Sequence, residues 1–80
     1  MDKVGQFIED KCVTGVGNLS VKKDNLYNVY KEWCLENNRY AEQKRKFGEK
    51  LLEKEYGETV KKIGGKATRV WLGIDLLGGE

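Results

Sequence analysis

Apolar residues recur along the chain at two spacings, and the change falls near residue 57. Val4, Phe7, Ile8 and Cys12 follow one another at steps of one, three and four, the pattern of a helix buried on one side. The same period returns in Leu26, Tyr30, Trp33 and Asn37, widened by Tyr27 and Cys34, and again in Phe47 and Leu51 with Gly48 and Leu52 beside them. Three helices are predicted. The first covers residues 2–12, with Asp2 suited to cap it. The second runs from near Asp24 to Asn37 and Asn38, which tolerate a left-handed turn. The third covers residues 42–55 and stops at Gly57, with Glu42, Lys46, Glu49, Lys50 and Glu53 pointing away from the core.

The connections follow from the polar and glycine positions. Residues 13–20 contain Gly15, Gly17 and Asn18 and predict a loop that brings Leu19 and Val21 to the core, with room for one short strand. Arg39, Tyr40 and Ala41 form the turn between the second and third helices. Beyond Gly57, residues 59–63 and 68–74 flank Gly64-Gly65-Lys66-Ala67, a hairpin signature. A four-residue loop pairs Ile63 with Thr68 and Lys62 with Arg69. That register sets Ile63, Val70, Leu72 and Ile74 on an inward face and Val60, Lys62, Arg69 and Trp71 on the other. A two-residue Gly-Gly turn is the alternative, and is expected to mix the faces. Gly48 stands inside the third helix, where glycine costs about 0.5–1 kcal/mol relative to alanine. Close approach of Tyr30 or Trp33 from the second helix is expected to offset that cost.

Eighty residues read as one domain, 1–80, which at this size buries only about 60–65% of its unfolded surface. Such a core leaves little room for a catalytic cleft. No apolar run reaches membrane-spanning length and no leader opens the chain, so a soluble cytoplasmic protein without membrane contact is expected. Cys12 and Cys34 lack metal-ligand spacing and there is no histidine; buried reduced thiols are favoured over a contact between them, and no metal is expected. Gly15 and Gly17 are not followed by the lysine a phosphate loop needs. Without histidine, with Ser20 as the one serine and with carboxylates spread over helix surfaces, no catalytic residue, cofactor or small-molecule substrate is assigned.

Charge is uneven. Residues 1–38 carry five basic and six acidic side chains, net −1; residues 39–69 carry ten and five, net +5; the remainder is −2. Clustering of cations in the second half fits a surface that faces an anion, in competition with an ordinary solvated helix face.

Three helices followed by a basic hairpin predict an α+β winged helix-turn-helix, a three-helix bundle with a β-hairpin wing. The run Leu26-Tyr27, Tyr30-Lys31-Glu32-Trp33-Cys34 and the closing Trp71, Gly73-Ile74 carry a more specific signal, supported by Val4, Phe7, Cys12-Val13, Phe47-Gly48, Leu51, Arg69-Val70 and Leu76. In these positions the chain resembles the C-terminal domain of phage and plasmid DNA primase-helicases. The resemblance implies a winged helix behind an ATP-driven helicase module, often with a primase module before it, and a role in replicating a mobile element's DNA. It further implies a fragment from the C-terminus of a larger replication protein, with the primase and helicase domains of that protein as partners and all catalysis left to them. One departure is visible: the family's third helix opens after a Ser or Thr cap, whereas Tyr40-Ala41 precedes Glu42 here, so the first turn is expected to start differently.

In a helix-turn-helix the second helix of the pair enters the major groove and flanking residues neutralise phosphates. Gln43, Lys46 and Lys50 on the outward arc, Lys44 in the first turn, and Lys62, Lys66 and Arg69 in the wing are therefore the DNA-binding candidates. Trp71 is expected to pack against Val60 or a helix in preference to stacking on a base. Two other roles stay open: a protein-docking module within a replication assembly, and a small winged-helix transcription regulator.

Overall fold

The three predicted helices are present in the computed structural model, which describes residues 3–77. Asp2, expected to cap the first helix, lies outside the described residues. Helix α1 (Lys3–Lys11) leads into β1 (Cys12–Thr14). A loop and β2 (Ser20–Lys22) follow, then α2 (Lys23–Glu36), α3 (Lys44–Glu53), β3 (Gly57–Ile63), β4 (Lys66–Leu72) and β5 (Ile74–Leu76). The fold class is α+β. Its strands form two antiparallel sheets, one of order β1-β5 and one of order β2-β4-β3.

The predicted stripes are the core. Val4, Phe7 and Ile8 of α1, Leu26, Tyr30, Trp33 and Cys34 of α2, and Phe47 and Leu51 of α3 are all buried. Phe7 sits among rings from the other two helices: its centroid is 5.2 Å from Tyr30, 5.6 Å from Trp33 and 6.2 Å from Phe47. Tyr30 stacks on Phe47 at 4.5 Å. Such pairs add about 0.5–1.5 kcal/mol each beyond the area they bury. Asn37, counted with the buried stripe from its spacing, is exposed; its side-chain amide instead donates to the Trp33 carbonyl oxygen at 2.8 Å and helps close α2.

Both later helices end in the same way. After α2, the Asn38 amide donates to the Leu35 carbonyl at 3.2 Å and the Arg39 amide to the Cys34 carbonyl at 2.7 Å, with Asn38 left-handed at φ 55°. After α3, Glu55 donates to Leu52 at 2.9 Å and Tyr56 to Leu51 at 3.3 Å, with Glu55 at φ 69°. These are paired 5→2 and 6→1 bonds of a Schellman ending. The helix therefore stops at a left-handed glutamate, not at Gly57. Gly57 opens β3, where a Cβ would stand 3.5 Å from Leu72.

The start of α3 also differs from the expectation. Glu42 lies outside the helix and is half-buried, because α2 holds it there: Tyr27 donates its hydroxyl to the Glu42 carbonyl at 2.6 Å and Tyr30 donates to the Glu42 carboxylate. Gln43 becomes the N-cap residue without a side-chain cap bond.

Two short strands, not one, occupy the connection between α1 and α2. The hairpin turns on Gly64 and Gly65 alone, both at positive φ (61° and 81°), the requirement of a type I′ turn. Ile63 pairs with Lys66, Lys62 with Ala67 and Val60 with Arg69, so the four-residue loop is incorrect. A register moved by two residues leaves each side chain on its own face, since the period of a strand is two. Within the hairpin the two-residue turn therefore keeps the predicted groupings, although Ile74 lies in β5 of the other sheet; Val70 and Ile74 are buried as expected and Trp71 packs on a helix, at Gly48 of α3, while Ile63 does not face inward. Trp71 turns to the core at 3% exposure, while Ile63 is 39% exposed. Val70, on the opposite face of the central strand β4, is buried as well. Gly73 (φ 83°) then bends the chain into β5, and its amide donates to the Leu19 carbonyl at 2.9 Å.

Candidate nucleic-acid interface

Helix α3 buries Phe47 and Leu51 and so must expose the opposite arc: Arg45, Lys46, Glu49, Lys50 and Glu53 are all exposed. Three cations and two carboxylates share that arc, and Arg45 reaches Glu49 at 3.6 Å. Gln43 is exposed just ahead of the helix. Gly48 faces the hairpin. A Cβ there would lie 3.6 Å from Cζ2 of Trp71, so the large ring beside this glycine comes from β4 and not from Tyr30 or Trp33 of α2.

The seven predicted residues are distributed over α3, its flanking hollows and the hairpin. Lys44 and Arg69 line a groove of about 990 Å³ between α3, the N-terminus of α2 and the hairpin. Lys50 lines a second hollow, of about 620 Å³, with Lys3, Arg39 and Glu42 between α1 and the other flank of α3. Lys46 borders neither. Lys62 shares a hairpin face with Val60 and Arg69, whereas Lys66 shares the opposite face with Ile63, Thr68 and Val70, and both lysines are exposed.

Lys22, Lys23 and Arg45 also line the groove, and sequence reasoning missed them. A signal was available: Lys22 and Lys23 stand at the N-cap and first position of α2, the positive end of the helix dipole, where cations are disfavoured. Of the two, Lys23 is compensated from elsewhere in the fold. Lys23 pairs with Glu58 of β3 and its ammonium lies 4.4 Å above the Trp71 ring. Lys44, at the start of α3, pairs with Asp24 in the first turn of α2. The groove thus carries five cations and three carboxylates, and each carboxylate is already in an ion pair.

The titratable groups displaced from their ordinary values belong to the scaffold. Burial alone would raise the Glu42 carboxyl. Hydrogen bonds from Tyr30, from its own backbone amide and from Lys3 outweigh that and hold it below the usual carboxylate range. Burial, reinforced by Glu42 and Cys34, pushes the Tyr30 hydroxyl up. Cys12 is pushed up to about 12 by burial, with the Asp75 carboxylate adding to it. Cys12 and Cys34 are both free and buried. Among the described residues there is no group of three or more acidic or cysteine side chains able to hold a metal ion, and no helix long and apolar enough to cross a membrane.

The aromatic α2 stripe, the Phe47-Gly48 pair and the Trp71 to Ile74 segment, which carry the resemblance in sequence, thus meet in one aromatic core and the sheet beside it. Comparison with curated protein sequences found no match. Residues 1–76 match the family described as poxvirus D5 protein-like, and with nearly the whole chain covered, the protein belongs to that family of primase-helicase-related domains.

Proposed function

We propose that this chain is a winged-helix, DNA-binding module of a viral or mobile-element primase-helicase, non-catalytic in itself, that sets DNA relative to the helicase. The observation that carries the reading is the arrangement of α2, α3 and the hairpin. α2 and α3 pack through Tyr30 stacked on Phe47, β2 joins the hairpin as a third strand, and α3 keeps an arc of exposed charged residues. In a winged helix that arc lies on DNA and the hairpin reaches the flanking backbone. Arg45, Lys46 and Lys50 extend from the arc, Gln43 stands at its leading end, and Lys62 extends the cationic surface onto the hairpin. Family membership supports the replication setting. The partners on this reading are DNA and the primase and helicase domains of the same protein, and the whole described chain acts as one domain.

The test is titration of fluorescein-labelled duplex and single-stranded oligonucleotides by anisotropy at several salt concentrations. If Lys46, Lys50 and Lys62 each neutralise one phosphate, log affinity for duplex falls against log salt with a slope of about −2.7. Lys46→Glu with Lys62→Glu removes binding and leaves the circular dichroism spectrum unchanged. Absence of binding at low salt, or affinity indifferent to salt, rejects the reading.

A further inference from the structure

The groove between α3 and the hairpin differs in chemistry from the outward arc of α3. Gly48 and the buried Trp71 and Phe47 close its floor, and its exposed apolar residues are Leu52 and Ala67. Leu52 lines one bank at 47% exposure. Val60, 56% exposed, stands on the same hairpin face as Arg69 and Trp71. The rim is cationic. Lys23, Lys44 and Arg45 are engaged by Glu58, Asp24 and Glu49, while among the described residues Lys22 and Arg69 take part in no ion pair. The surplus charge therefore comes from two cations that line the groove together with the exposed Leu52.

We infer that this groove is a docking site for an acidic amphipathic segment of a partner protein, with leucine or phenylalanine anchors flanked by carboxylates. Anchors of that kind cover Leu52 and Ala67, while the flanking carboxylates meet Lys22 and Arg69; complementary charge steers and orients such a peptide. A duplex matches the rim alone, since its phosphates have nothing to place on these apolar side chains. A single strand requires an exposed ring on which to stack its bases, and Trp71 is buried at 3% exposure beneath the Lys23 ammonium. The site goes beyond the DNA-binding reading: Arg45 and Glu49 border both surfaces, whereas Leu52 and Arg69 belong to the groove and Lys46, Lys50 and Lys62 to the DNA-binding surface, and these residues separate failure of one from failure of the other.

The test is an amide-resolved NMR titration with an acidic peptide of about twelve residues containing Glu, Asp, Leu and Phe. A second peptide with Ser at each Leu and Phe and a short DNA duplex serve as comparisons. The expected result is shifts at Gly48, Leu52 and Arg69 with the acidic amphipathic peptide, and at least about tenfold weaker binding of the serine peptide. Arg69→Glu and Leu52→Ser, both at exposed positions, each weaken the peptide at least about fivefold, and Leu52→Ser, which adds no charge to α3, leaves duplex affinity within about twofold of wild type. Equal binding of the serine peptide, shifts confined to residues outside the groove, or wild-type peptide affinity in Leu52→Ser would each overturn the inference.

Discussion

Gly48→Ala is expected to stabilise the domain, and its sign tests how the hairpin is oriented on α3. Glycine inside a helix is disfavoured by about 0.5–1 kcal/mol relative to alanine. Recovery of that amount needs space for one methyl group. The new Cβ would meet Cζ2 of Trp71 at 3.6 Å and Cη2 at 3.9 Å, ordinary contact distances at which each atom pair adds about 0.1–0.2 kcal/mol of attraction. The total is about 1 kcal/mol, which for a domain of this size raises Tm by about 4–8 °C. Gly48→Leu instead drives a larger side chain against a ring held between α3 and Lys23, and overpacking of this kind costs about 1–3 kcal/mol. Urea unfolding followed by Trp fluorescence measures both. A Gly48→Ala variant less stable than wild type would mean that no such space exists and that Trp71 does not lie where the packing puts it. Equal stability of the two variants would be as damaging, since it would show no ring beside the helix.

Two further stability predictions follow from backbone and burial. Glu55→Gly relieves a left-handed non-glycine residue at φ 69° and is expected to add about 1 kcal/mol, read as a higher urea midpoint with an unchanged m-value. Cys12 supplies a pH dependence: its folded-state value is raised to about 12 above an unfolded value near 8.5, so its contribution is complete below pH ~8.5 and is lost as pH climbs toward 12. Wild type should lose about 1 kcal/mol between pH 7 and 9.5, and Cys12→Ala, though less stable throughout, should lose less over the same interval.

How far the sequence reveals this fold depends on how local each determinant is. The helices were legible because Val4, Phe7, Leu26, Tyr30, Trp33, Phe47 and Leu51 record burial at helical period whatever their neighbours do. The start of α3 was not, because Tyr27 and Tyr30 of α2 hold Glu42 out of the helix, a contact made across the fold. The end of α3 was hidden too: Glu55 takes the left-handed position that a nearby glycine advertises more loudly. β1 and β2, three residues each, are too short to display an alternation. The hairpin misled for a different reason. Val70 and Trp71, adjacent in β4 and on opposite faces of it, are both buried, so hydrophobicity alone could not say which face meets α3. The candidate site was legible only as a list of cations. Their division between the arc of α3, the groove beside the hairpin and the two hairpin faces comes from tertiary packing, which sets residues distant in the chain beside one another.

The most direct test of the central claim, that the outward arc of α3 lies on DNA, is an amide-resolved NMR titration of the wild-type chain with a short duplex at low salt. The account predicts shifts concentrated at Arg45, Lys46, Glu49 and Lys50, with a second group at Lys62 in the hairpin, all diminishing as salt is raised. Shifts absent from α3, or confined to the loop between β1 and β2 and the β1-β5 sheet, would contradict it.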